Sequence, residues 1–160
     1  MSFSFINSTR FFPNFNSIYV IQPLFNACFY AIRSFFVFYI SWRLTVSEGE
    51  AMAFYSMVMA LCYGTTFLGG YLADKSLGVK SSIVWGGVLS ALGLLCMFSP
   101  FQDLCFIGLA LFSTGSGLFK PNLMTAVGLI FEDPKDPRKS KAYSTVYVWA
   151  NLGILVVGTL

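Results

Sequence analysis

Five apolar runs, each close to the length needed to cross a bilayer, occupy positions 17–42, 51–73, 81–100, 104–131 and 142–160. A hydrocarbon core about 30 Å thick is crossed by about 20 apolar residues in a helix. In lipid a chain must satisfy its backbone hydrogen bonds internally, which a helix does within one segment. Composition agrees where it matters: charged residues make up 11% of the chain, apolar residues 56%, and the mean hydropathy is +0.71. A soluble domain carries about 25% charge, so polar side chains are too few to cover a water-facing surface. The predicted fold is an all-α polytopic membrane protein. Disordered, collagen-like, coiled-coil and disulfide-stapled secreted classes are excluded.

The first run is too long for a cleaved leader and contains Arg33, and no small-residue cleavage pattern follows it. It reads as a retained span. Short polar segments separate the runs: Ser47 to Glu50, Asp74 to Lys80, Ser99 to Asp103, and Glu132 to Lys141. Connections this short make successive helices antiparallel neighbours. Pro134 and Pro137 oppose helix continuation through the last of them. With a cytoplasmic N-terminus, the inner segments hold Arg10, Lys75, Lys80, Lys135, Arg138, Lys139 and Lys141, while the outer ones hold only Arg43. That bias predicts a multi-pass protein of the cell membrane with its N-terminus inside. The fifth run reaches Leu160 without a closing polar residue. The expectation is therefore a cytoplasmic segment 1–16 and a partial bundle 17–160, truncated within the fifth helix.

Two cations fall inside apolar runs, Arg33 and Lys120. Placing either at a helix centre costs about 2.5–3.5 kcal/mol on insertion scales, so neither is incidental. Gln22, Asn26, Tyr30 and Arg33 recur at helical spacing and form one polar stripe. The rival reading of Arg33 is a side chain snorkelling to the interface beside Arg43. All seven acids (Glu48, Glu50, Asp74, Asp103, Glu132, Asp133 and Asp136) map to connections or run ends. Two cations with no acid inside the spans point to an anionic partner, either a substrate carboxylate or another part of the protein.

Enzyme chemistry has little to work with. There is no histidine, and Cys28, Cys62, Cys96 and Cys105 fall singly in or beside apolar runs without metal-ligand spacing. Gly115 to Lys120 has the wrong spacing for a phosphate-binding loop and is followed by Pro121. No cofactor, metal or nucleic-acid partner is expected; the lipid bilayer is.

Four motifs carry a family resemblance. Leu68-Gly69-Gly70-Tyr71-Leu72-Ala73-Asp74-Lys75-Ser76-Leu77-Gly78-Val79-Lys80 resembles the loop between helices two and three of the major facilitator superfamily. In such a loop, glycines such as Gly70 and Gly78 allow close helix approach, Asp74 can cap the next helix, and lysines such as Lys75 hold the cytoplasmic side. Phe29-Tyr30-Ala31-Ile32-Arg33 is similar to the YYGxR segment of the proton-dependent oligopeptide transporters. Ser113 to Asn122, ending Lys120-Pro121-Asn122, is similar to their GTGxxKPN segment, and Tyr143 to Gly153 resembles their helix-five signature.

The resemblance, which covers about 20–160, implies the first part of a two-bundle, alternating-access carrier of di- or tripeptides, with its other half missing. It implies that Arg33 and Lys120 meet the substrate carboxylate, that Tyr30 and Tyr63 line the same pocket, and that Asn151 bonds the peptide backbone. It also exposes a departure. The family's ExxER motif would place two glutamates and an arginine where this chain has Gln22, Phe25 and Asn26, so proton coupling through helix one loses its titratable groups. Two other readings remain: a major-facilitator carrier of another small anion, and a non-transporting fragment or split-transporter half.

Overall fold

The computed structural model describes residues 16–131, 133 and 135–158. Residues 1–15, with Arg10, lie outside that description, as do Glu132, Pro134, Thr159 and Leu160. Five helices follow in order: α1 (Asn16–Leu44), α2 (Glu48–Leu72), α3 (Val79–Met97), α4 (Gln102–Leu129) and α5 (Pro137–Gly158), with a π turn (Ala73–Leu77) continuing α2. Among the described residues, four segments are long and apolar enough to cross a membrane: Val20–Leu44, Glu48–Leu77, Val79–Met97 and Gln102–Leu129. The fifth run also forms a helix. Its first two turns carry Arg138, Lys139 and Lys141, which lowers the hydropathy of its described part.

The helix ends differ from the apolar-run boundaries because polar residues form the first turns. Ser47 caps α2 in a reciprocal box: its Oγ accepts from the Glu50 amide, and the Glu50 carboxylate accepts from the Ser47 amide at 2.9 Å. That pairing satisfies otherwise open amides at the helix start, so Glu48 to Glu50 belong to α2 and not to a loop. Asp136 does the same for α5, accepting from the Arg138 amide at 2.8 Å. Pro137 then occupies the first helical position, where its missing N–H has no cost. Pro137 thus begins α5, and the expected loop to Lys141 is shorter than the composition indicated.

Asp74 does not cap α3. It lies inside the π turn, and α3 starts from Gly78 with no side-chain cap. Gly78 has φ +75°, which glycine tolerates without strain. Its amide closes the π turn on Ala73 O at 2.9 Å.

The described helices pack as two compact units, and α1 and α4 each contribute to both. In the unit from Arg33 to Asn122, α3 and α4 cross on small residues. A Cβ on Gly93 would lie 2.6 Å from Phe112 N, and one on Gly86 would lie 2.7 Å from Phe119 N. Helices in lipid lack a hydrophobic drive to associate and gain instead from such close van der Waals contact. α2 meets α4 the same way at Gly69, whose Cβ would reach Gly117 C at 2.7 Å, whereas Gly70 faces open space. Gly69 is therefore the close-approach glycine of that motif, and Gly70 is not. Pro121 removes the helical donor for the Gly117 carbonyl, the group that lies against Gly69. Asn122, fully buried, donates to Leu118 O at 2.7 Å and to Gly69 O at 3.3 Å, tying α4 to α2. At the Leu44 end, the Tyr39 hydroxyl donates to Met97 O, and Arg43 Nη2 donates to Ser99 O at 2.7 Å. A cation there suits the negative end of α3.

In the other unit, Gly153 of α5 packs on the backbone of Pro23 of α1, where a Cβ would lie 3.1 Å from Pro23 Cα. Gly128 of α4 lies under Tyr143 and the Lys139 methylenes of α5.

Candidate substrate site

Arg33 does not snorkel beside Arg43. Its Nε donates to the Tyr55 hydroxyl at 2.7 Å, linking α1 to α2. The Tyr55 ring lies 6.0 Å from that of Phe36, one turn along α1 from Arg33. Phe36 is 2% exposed, so its buried ring fixes the phenol that holds the guanidinium. Sequence reasoning missed Tyr55. No sequence signal marked it: the two residues lie at unequal distances from the turn between α1 and α2.

Lys120 is half-buried on α4, in the same unit, within electrostatic reach of Arg33 and of Cys62. Arg33 and Lys120 thus belong to one unit, each on an apolar helix, a setting in which a cation favours an anionic partner. Hydrogen bonds tie α2 to α4 in the same unit. The buried Cys62 Sγ lies 3.5 Å from Ser113 Oγ, and Thr65 Oγ donates to Ser113 O at 2.8 Å. Tyr63 belongs to this unit but is 67% exposed, on a face of α2 shared with Phe67 and Tyr71.

The remaining expected residues lie in the other unit. Gln22 is buried, while Asn26 and Tyr30 are half-buried, and Val20 and Leu24 are exposed. The stripe is therefore the sheltered side of this part of α1. Phe25 stacks on Phe29 (centroids 6.5 Å apart, planes at 20°), and Phe29 meets Tyr30 edge-on at 5.8 Å. Aromatic packing fills this stretch of α1. Asn151 is exposed, with its Nδ2 bonded to Tyr147 O at 2.8 Å.

In the segment joining α2 to α3, Lys75 lies 5.3 Å over the Tyr71 ring and donates to its hydroxyl at 3.0 Å. Asp74 is exposed. Among the described residues, no group of three His, Cys, Asp or Glu could hold a metal.

Comparison with known proteins agrees with this architecture. The model of the Major Facilitator Superfamily matches residues 19–160. A di-/tripeptide transporter of Lactococcus lactis subsp. lactis is 32% identical over 145 residues, which is 82% of this chain and 29% of that protein. Dipeptide and tripeptide permease A of Proteus mirabilis is 34% identical over 127 residues, covering 78% of this chain and 26% of that one. Among solved structures, a POT family transporter in complex with 5-aminolevulinic acid superposes with TM-score 0.83 at 26% identity, over 89% of this chain and 30% of that one. A peptide transporter POT in complex with sulfate gives TM-score 0.82 at 26% identity, over 91% and 31%.

The chain belongs to the proton-dependent oligopeptide transporter family of the major facilitator superfamily.

Members of this family are transporters and not enzymes, and the chain is a multi-pass membrane protein. It spans less than a third of the length of the relatives it matches.

Proposed function

We propose that this chain forms part of a secondary transporter for small carboxylate-bearing solutes, di- and tripeptides foremost, working by alternating access. The observation that carries the reading is the placement of Arg33 and Lys120 part-way along two apolar helices of one unit. The peptide transporters among its relatives support the substrate class. Arg33 and Lys120 receive the carboxylate, and Tyr63, in the same unit, lines the pocket. The partner that completes the carrier is a second helical bundle, in keeping with the greater length of the relatives. The protein is oriented in the cell membrane with its N-terminus in the cytoplasm. A carrier of another small anion is the second reading, favoured by the sulfate complex of a structural relative.

Proton coupling does not run through α1 in this proposal. Gln22 and Asn26 carry amides, which do not titrate, and Phe25 is committed to its stack on Phe29. Transport is then driven by the solute gradient or coupled through an acid in another part of the carrier.

The test is equilibrium binding of dialanine and of its C-terminal amide to the chain in nanodiscs. Dialanine should bind more tightly, and Arg33→Gln and Lys120→Gln should each remove that preference. Equal affinity for the two compounds in the parent chain would exclude carboxylate recognition by this cation pair.

A further inference from the structure

We propose that Tyr55 is a further residue of the anion site, one that orients Arg33 without neutralising it and donates its own hydroxyl proton to the bound anion. The inference rests on the carboxylate reading of Arg33 and Lys120, and on the 2.7 Å bond from Arg33 Nε to the Tyr55 hydroxyl.

A cation in an apolar helix needs a polar partner to hold its position. A carboxylate would hold Arg33 but cancel its charge, leaving little to attract a substrate. A phenol accepts from the guanidinium through an oxygen lone pair and stays neutral, so this bond does not cancel the Arg33 charge. The guanidinium is planar, and a bond at Nε fixes the plane in which its two terminal nitrogens lie. Those nitrogens are the donors that match a carboxylate bidentately. Tyr55 thus sets the direction of the fork, and its own orientation is set by the buried ring of Phe36.

A phenol that accepts one hydrogen bond still has an O–H to give. Held against Arg33 Nε, that proton is positioned beside whatever the guanidinium binds. The site then offers two cations and one neutral donor. An anion with several acceptor atoms, such as a carboxylate, satisfies all three; the corresponding amide satisfies the cations poorly.

The experiment uses the full chain in nanodiscs with dialanine and dialaninamide as probes. Tyr55→Phe keeps the ring on Phe36 and removes only the hydroxyl. It should weaken dialanine binding about tenfold, as loss of one hydrogen bond to a charged group does, and leave dialaninamide unchanged. It should also speed exchange of the Arg33 Nε–H. Unchanged dialanine affinity in Tyr55→Phe, beside a clear loss in Arg33→Gln, overturns the proposal and leaves the carboxylate reading standing. Equal weakening of both probes marks Tyr55 as merely structural and also overturns it. If the parent chain binds the two probes equally, the carboxylate reading itself fails and takes this proposal with it. A second measurement needs no variant: the Tyr55 Cζ resonance of the parent chain should shift on dialanine addition and not on dialaninamide addition, and a silent resonance overturns the role.

Discussion

Gly93 and Gly108 face each other across the α3–α4 crossing. A Cβ on Gly93 would lie 2.7 Å from Gly108 O, and one on Gly108 would lie 2.6 Å from Gly93 O. Each glycine is backed by main chain that cannot swing aside, so an added methyl must separate the helices. Gly93→Ala and Gly108→Ala should each destabilise the chain by about 1–3 kcal/mol, the usual range for overpacking. Gly64→Ala, on α2 with nothing within 4 Å of the added carbon, should leave stability unchanged or slightly raised. Thermal unfolding in one detergent compares all three, and a stable Gly93→Ala protein would refute the crossing.

The start of α5 should respond to acid. Arg138 hydrogen-bonds Asp136 through its side chain and its amide and holds the carboxyl below its ordinary value of 3.8. A depressed folded value means the cap contributes fully above the ordinary carboxylate range and is lost as pH falls through the folded value. Protection of the Arg138 and Lys139 amides, measured against their intrinsic exchange rate at each pH, should therefore fall below about pH 4. Asp136→Asn keeps an acceptor that does not titrate, and its protection should stay flat over the same range. Acid-induced fraying of equal size in Asp136→Asn would mean another group is responsible.

Orientation is testable with single cysteines in a background lacking the four native ones. Ser47→Cys should react with a membrane-impermeant maleimide in intact cells, whereas Lys139→Cys should react only after permeabilisation. The reverse pattern would place the basic α4–α5 connection outside, against the distribution of Lys and Arg.

The spans were legible because lipid demands long apolar runs, and a cation inside such a run stands out at once. Arg33 and Lys120 were found for that reason. Tyr55 was not, because its partner is 22 residues away and nothing local marks a tyrosine as an acceptor. Helix starts at Glu48 and Pro137 were misplaced because capped first turns are polar and read as loop by hydropathy. Gly69 and Gly70 are adjacent in sequence, yet only Gly69 meets α4; which of two neighbours faces a helix depends on the packing angle. Asp74 was given a capping role by its position before α3, but the backbone continues helically through it.

The aromatic filling of α1 has a measurable counterpart in pH dependence. Dialanine affinity of the parent chain should be flat between about pH 5 and 7, since neither amides nor phenyl rings titrate there and histidine is absent. Phe25→Glu should introduce a pH dependence, because a carboxyl in an apolar helix is pushed toward neutrality. A sloping parent profile that survives unchanged in Phe25→Glu would point to a titrating group elsewhere in the chain.

The π turn between Ala73 and Leu77 has a consequence for insertions and deletions. An i→i+5 turn accommodates one more residue than an α turn. Deleting one residue there should tighten the turn to α geometry and leave α2 undisturbed upstream. Deleting Tyr63 instead would rotate Phe67 and Tyr71 by about 100° relative to the start of α2, carrying Gly69 off the α4 contact. A single-residue deletion scan from Cys62 to Gly78 should therefore show its window of tolerance at the π turn.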